Sequence, residues 1–174
     1  MARVKPISLT TCAAAAFGAA AVVLFGGFAQ SGTEPKPASP IYGVAIPDAY
    51  RQWELIAPAL EREPLNELRA VVGNKTALAA YRAVTLPFPD GAVLVKLAWK
   101  HIQSPEFESA LVPGMATTVQ VMVKDSKRYA ATGGWGFGRF VDGKPVDQAQ
   151  HETCWGCHEA LVKNHDYVFT RLAP

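Results

Sequence analysis

The sequence predicts an α+β fold, built mainly from an antiparallel β-sheet with a few short helices. Three segments carry this prediction, because they are rich in β-branched or aromatic residues and alternate along the chain: residues 92–102, 117–123 and 134–141. The sequence Phe88-Pro89-Asp90-Gly91, just before the first of them, is typical of a turn. A length of 174 residues leaves room for one compact domain and excludes a large multidomain enzyme.

The first 29 residues have the features of a secretory signal peptide. Arg3 and Lys5 precede an apolar stretch, and no further charged residue follows until Glu34. The small residues Gly27 and Ala29 suit cleavage after position 29. Residues 7–29 are also long enough to span a bilayer, so an uncleaved anchor is the alternative. We expect an exported, periplasmic protein.

Residues 30–40 contain three prolines and little to bury, which predicts a disordered linker followed by a domain over 41–174. Removing the leader takes away two of the 17 basic residues and none of the 15 acidic ones. The mature protein is therefore formally neutral. This balance gives no electrostatic signature of nucleic-acid binding, and no nucleic-acid partner is expected.

The first elements of the domain follow from local signals. Asp48 can cap a helix over 48–57, where aromatic and aliphatic residues recur at helical spacing up to Pro58. A strand is predicted over 65–72. Asn74 then caps a short helix over 75–83.

The segment 92–102 is the clearest strand pattern in the chain. One face carries Lys96 between the apolar residues Leu94 and Ala98, so this lysine lies on a face that is not obviously solvated. The other expected elements are a strand over 117–123, a short helical turn over 125–131 and a strand over 134–141.

The chemistry is concentrated in the C-x-x-C-H motif formed by Cys154, Cys157 and His158. Attachment of haem c needs two thiols three positions apart to add to the vinyl groups, and a histidine directly after them to bind the iron. These are the only cysteines of the mature chain, and haem c is attached outside the cytoplasm, where the leader directs the protein. The motif therefore predicts one covalently attached haem c with His158 as the iron ligand.

Three other interpretations of the two cysteines fit the sequence less well. A thioredoxin-like motif normally follows an early strand, whereas this one lies in the last 21 residues. A structural zinc site lacks a second cysteine pair and would need His151 or His165 to complete it. A disulfide across two intervening residues would be strained.

Several long segments resemble the cytochrome P460 family. They are FPDGAVLVKLAWK (88–100), VKDSKRYAATGGWGFGRF (123–140), CWGCHEALVKNHDYVFTRLAP (154–174), YRQW (50–53) and LRAVVGN (68–74). The resemblance covers nearly all of the mature domain. It implies a largely antiparallel β fold, a homodimer and a single haem c in a periplasmic protein.

The resemblance also implies a lysine bonded covalently to a meso carbon of the porphyrin, and the matching residue is Lys96. An amine on an apolar face loses the solvation that favours its charged form, which makes it a better nucleophile. The alternative is a lysine that extends from the strand edge into solvent. The related β-type cytochromes c′ share the fold without the cross-link.

By resemblance, the expected activity is oxidation of hydroxylamine, or handling of nitric oxide, through iron–nitrosyl intermediates at a five-coordinate haem iron. His158 would bind one side of the iron, and a periplasmic c-type cytochrome would accept the electrons. Two alternatives stay open: a non-catalytic cytochrome of the c′ type that binds NO or CO, and an electron-transfer cytochrome with Met115 or Met122 on the iron.

The residues around the open side of the iron are expected on the strand over 117–123, where Gln120 and Met122 share a face. Hydroxylamine-oxidising members are expected to carry a carboxylate near Gln120. An amide can hydrogen-bond a ligand but is not a general base near neutral pH. Arg69 matches the family and can neutralise a haem propionate, or is an ordinary charge at a strand edge. Aromatic residues expected to pack on the haem or in the core are Trp135, Phe137 and Phe140.

Overall fold

The computed structural model describes residues 35–174. The signal peptide predicted over 1–29, and the first residues of the predicted linker, lie outside the described residues. None of the described helices is long and apolar enough to cross a membrane.

The described chain folds around one six-stranded antiparallel sheet whose strands follow one another in sequence order. The strands are β1 (Glu54–Glu61), β2 (Glu67–Gly73), β3 (Val93–Gln103), β4 (Leu111–Lys124), β5 (Trp135–Val141) and β6 (Lys144–Pro145). The α-helices are α1 (Lys75–Arg82) and α2 (Gln148–Val162), and short 3-10 turns cover Tyr50–Gln52, Ala130–Thr132 and Lys163–His165. The predicted α+β fold, mainly antiparallel sheet, is confirmed.

Both faces of the sheet are buried, and the alternation along β3 explains why. Val95 and Leu97 point into one apolar cluster with Val121 and Phe140. Leu94 points to the other side. The cluster on that second side contains Ile56, Ala77, Leu78, Tyr81, Trp135 and Phe137 among others. Each face of the strand therefore packs against its own core, and the second face also carries Lys96.

The helix α1 and the strands β2 and β3 on either side of it form close to where the sequence predicts them. The side-chain oxygen of Asn74 accepts hydrogen bonds from the backbone N–H of Ala77 and of Val93. The same side chain donates to the carbonyl of Gly91. One asparagine therefore begins α1 and also fixes the start of β3.

The helix predicted over 48–57 is wrong. The chain makes only the 3-10 turn Tyr50–Gln52 and then enters β1, which pairs with β2 along its length. Pro58 suits this strand because β1 is an edge of the sheet, and edge strands tolerate proline. Ile56 is buried in the core from this strand.

Ordered structure also begins earlier than predicted. Ser39 falls in the predicted disordered linker, yet it is buried and donates a hydrogen bond to the carbonyl of Phe137. Ala38 forms an isolated bridge with Ala45. The last residues of that linker therefore belong to the folded domain.

The strand β4 is longer than predicted. It begins at Leu111, six residues before the predicted start at 117.

Candidate functional site

The helix α2 carries the two cysteines and the histidine of the C-x-x-C-H motif. Asp147 caps this helix by accepting a hydrogen bond from the backbone N–H of Gln150, and that bond lowers the pKa of the Asp147 carboxyl. Cys154 and Cys157 are free thiols three positions apart, so they lie on neighbouring positions of one helix face. Burial raises the pKa of the Cys154 thiol, and the nearby Arg139 guanidinium opposes this shift in part.

His158 is oriented by the segment that follows α2. Its Nδ1 lies 2.7 Å from the carbonyl oxygen of Tyr167 and donates to it, so the lone pair is left on Nε2. The rings of Phe137 and Phe169 pack against the imidazole with centroid distances of 5.0 and 4.9 Å. Burial lowers the pKa of His158, the bond to Tyr167 opposes the shift, and the Lys96 cation adds to it. The neutral imidazole, which is the metal-binding form, is therefore favoured.

One face of the sheet faces this helix with a row of polar side chains. Lys96 on β3 lies directly opposite Gln120 on β4, and Gln120 lies directly opposite Arg139 on β5. Directly opposed residues of antiparallel strands share a face, so these side chains are neighbours. Arg69 and Val71 continue the same face on β2, since Val71 is opposite Lys96.

The helix and this sheet face enclose a cavity of about 440 Å³. All six of the residues predicted for the site line it: Arg69, Lys96, Gln120, Cys154, Cys157 and His158. Met122, Phe137 and Arg139 line it as well. The sequence-predicted residues, which lie up to 89 positions apart in the chain, therefore meet in one place.

Glu61 also belongs to this site, although no pattern in the sequence predicts it. Its Oε2 accepts a hydrogen bond from Lys96 Nζ at 2.6 Å, and its Oε1 lies 3.4 Å from Nη1 of Arg69. The side chains of Glu61 and Lys96 are only 20% and 15% exposed. A strand prediction for 54–61 would have brought Glu61 beside β2, but the helix predicted there ended at residue 57.

Gln120 and Met122 are the residues that the sequence predicts around the open side of the iron. Gln120 donates from Nε2 to the hydroxyl of Thr118 at 3.0 Å, on the same strand. Met122 lines the cavity, whereas Met115 is 73% exposed and does not.

The other histidines among the described residues do not line the cavity, and hydrogen bonds hold each of them in place. In His151, Nδ1 donates to the carbonyl of Asp147 and Nε2 accepts from the backbone N–H of Arg139. His165 Nδ1 bonds the carbonyl of Val168, and His101 bonds the side chain of Asn66. With both ring nitrogens of His151 bonded to backbone, this residue is not available to complete a zinc site with the two cysteines.

Two buried donors show what the cavity can hold. Nε of Arg69 and Nε of Arg139 are buried without a hydrogen-bond partner, and both residues line the cavity. Buried donors are normally paired, and carboxylates are the partners that arginine binds best. Two thiols, a neutral imidazole and two arginines with free donors are the groups that a haem c with its two propionates requires. The residues therefore fit this cofactor.

Comparison with known proteins bears on the same residues. The family model described as Cytochrome P460 matches residues 47–170, well over half of the chain. The match includes all six residues predicted for the site. No curated protein matches the sequence.

Proposed function

The chain belongs to the cytochrome P460 family, and from this membership we propose that it oxidises hydroxylamine, or handles nitric oxide, in the cavity between α2 and the sheet. The family implies a haem c cofactor. The observation that carries the proposal is the position of Lys96, whose nearly buried amine lines the same cavity as the two thiols and His158.

When bound, haem c supplies a redox-active iron with a coordination position open to a small ligand. Cys154 and Cys157 would hold the group through thioethers, and Nε2 of His158 would bind the metal. Arg69 and Arg139 would pair with the propionates through the donors that the protein leaves unpaired. The carbonyl of Tyr167 keeps His158 in the tautomer that binds a metal through Nε2.

Lys96 is the residue whose state separates the candidate functions. Its Nζ is inside the cavity and its contact with solvent is small, which supports reaction with a ring carbon as proposed for this family. Its hydrogen bond to Glu61 holds the amine at a fixed position. In the proposed cross-linked form this lysine tunes the site for oxidation, and without the link the site only binds the ligand.

The chemistry of Gln120 supports an alternative function, in which the protein binds a gas without oxidising hydroxylamine. The amide lies where a carboxylate was expected and cannot remove a proton from hydroxylamine near neutral pH. This favours, as second candidate, a gas-binding protein of the c′ type that takes up NO or CO. Electron transfer with Met122 on the iron is a third candidate, because Met122 lines the cavity.

The proposed function also includes the location, the electron acceptor and the assembly of the protein. It includes export to the periplasm, a c-type cytochrome as electron acceptor and assembly as a homodimer.

The variant Lys96→Leu tests the proposed function. It keeps the bulk on the buried strand face and removes the amine, so haem attachment through the cysteines should persist. We expect the reduced protein to show an ordinary haem c spectrum, blue-shifted from that of the parent, with NO binding retained and hydroxylamine oxidation lost.

Lys100→Leu is the matched control, because Lys100 lies on the same face of β3 but is 45% exposed, does not line the cavity and interacts with Glu67. It should leave both spectrum and turnover unchanged. If mass spectrometry of the parent finds thioether links only, or if Lys96→Leu oxidises hydroxylamine as fast as the parent, the gas-binding function replaces the enzymatic one.

A further inference from the structure

We propose that the turn at 166–167 sets the strength of the bond between His158 and the haem iron, and with it the reduction potential of the site. This inference rests on the proposed function and deepens it. The carbonyl of Tyr167 accepts the hydrogen bond from Nδ1 of His158 at 2.7 Å. An imidazole that donates its second N–H to an acceptor is a more basic metal ligand, so the groups that fix this carbonyl also tune the iron.

The backbone of this turn needs support from its surroundings. Asp166 and Tyr167 have positive φ angles of 47° and 62°. Residues other than glycine rarely adopt this left-handed conformation, and it persists only where surrounding contacts hold it. The N–H of Tyr167 donates to the carbonyl of Val162 at 3.0 Å, which ties the turn to the last residue of α2. The direction of the Tyr167 carbonyl therefore depends on how firmly these two residues are held.

Asp166 holds the turn through its carboxylate. Its two oxygens accept hydrogen bonds from Lys124 Nζ at 2.8 and 2.9 Å, and Oδ2 also accepts from the backbone N–H of Phe88 at 2.8 Å. The side chains of Lys124 and Asp166 are only 5% and 7% exposed, and neither residue lines the cavity. Because they act on the site only through Tyr167, they are positioning residues.

The ring of Tyr167 is fixed by packing. Its centroid lies 4.8 Å from that of the Trp155 ring on α2. On Gly133, an added Cβ atom would lie 2.1 Å from Cε2 of Tyr167, so the glycine leaves the ring the space that it occupies. The carbonyl of Gly133 also accepts a hydrogen bond from Lys124 Nζ at 3.0 Å. One lysine therefore connects the carboxylate of Asp166 with the glycine against which the next side chain packs.

The test is Gly133→Ala in the full holoprotein, because the added methyl group must displace the ring of Tyr167 and disturb its carbonyl. We expect the hydrogen bond from His158 to weaken, so the iron–histidine stretching frequency of the reduced protein should fall in resonance Raman spectra. The midpoint potential should rise, because a less basic ligand stabilises the ferric state less. The equilibrium constant for electron transfer should change about threefold or more, which is about 30 mV for a one-electron couple.

Gly143→Ala is the matched control. Gly143 has a positive φ of 74°, against 62° for Gly133, but a Cβ atom added to it meets no atom within 4 Å. Both variants therefore place an alanine in the left-handed conformation, and only Gly133→Ala moves Tyr167. Gly143→Ala should keep the parental frequency and potential.

Asp166→Asn is a second variant, which loosens the turn by breaking its ion pair and leaves Gly133 in place. It should shift the frequency and the potential in the same direction as Gly133→Ala, so either variant decides if the other fails to fold. A lower free energy of unfolding with an unchanged frequency is the result of a role in stability alone, and it would overturn the proposal. If the parent holds haem c but does not oxidise hydroxylamine, the proposed function fails, whereas the frequency still tests the turn because it is measured without substrate.

Discussion

At the scale of single residues, the least expected feature is the buried ion pair of Lys124 and Asp166. Lys124 Nζ donates to Asp166 Oδ1 at 2.8 Å and to the carbonyl of Gly133 at 3.0 Å. Asp166 Oδ2 also accepts from the backbone N–H of Phe88. Asp166 has a positive φ of 47° and directly precedes Tyr167, whose carbonyl orients His158. The pair therefore fastens the turn that positions the predicted iron ligand.

Asp166→Asn should destabilise the protein strongly. The variant keeps the shape of the side chain but leaves a buried ammonium without its counter-ion, a loss of about 3–5 kcal/mol for pairs of this kind. The free energy of unfolding from urea or guanidinium titration measures it. Asp48→Asn is the control, since Asp48 pairs with Lys36 at an exposed site and should leave the midpoint unchanged. Equal midpoints for Asp166→Asn and Asp48→Asn would show that the buried pair does not stabilise the fold.

At the scale of elements, prediction worked where the signal was local. The Asn74 cap and the alternation of β3 each depend on residues close together in the chain, and both elements form as predicted. β1 was mistaken for a helix because the helical spacing of Tyr50, Trp53 and Ile56 outweighed its strand character. What makes this segment a strand is pairing with β2, which periodicity alone does not reveal.

The sequence pattern does not predict the helix α2, and the reason differs from that for β1. Its apolar residues form no clear stripe, and within the helix His151 alone is fully buried. A helix that packs on a cofactor lacks the amphipathic pattern of one that packs on protein, so periodicity gives little sign of it.

Asn74→Ala should weaken the junction of α1 with β3. The substitution removes the cap of α1 and also the hydrogen bonds to Val93 and Gly91, so we expect a loss of about 1–2 kcal/mol in unfolding free energy. Asn74→Asp is the matched variant, since it keeps the acceptor for Ala77 and Val93 and loses only the donor to Gly91. A loss as large in Asn74→Asp as in Asn74→Ala would mean that the bond to Gly91, not the cap, is the important contact.

At the scale of the whole molecule, the site was predictable from motif and resemblance, but its electrostatic partners were not. Lys96 and Glu61 are 35 positions apart, and only the order of strands in the sheet brings them together. Arg139 likewise reaches the cavity because β5 pairs with β4 in the register that places it opposite Gln120. Neither contact has a signature in the sequence, since both depend on pairing between distant segments.

The same architecture predicts which part of the molecule depends on the cofactor. The sheet is held by two apolar clusters, whereas α2 has little buried surface of its own and borders a cavity with unpaired arginine donors. In the double variant Cys154→Ser/Cys157→Ser, which cannot form thioethers, amides of α2 should exchange with solvent much faster than in the holoprotein. Amides of β3 should stay protected, because regions with few buried contacts open first. Hydrogen exchange followed by mass spectrometry measures both, and Cys157→Ser, which keeps one thioether, should lie close to the holoprotein. Equal protection of α2 with and without the cofactor would mean that the polypeptide alone holds this helix in place, and that His158 is positioned before haem c arrives.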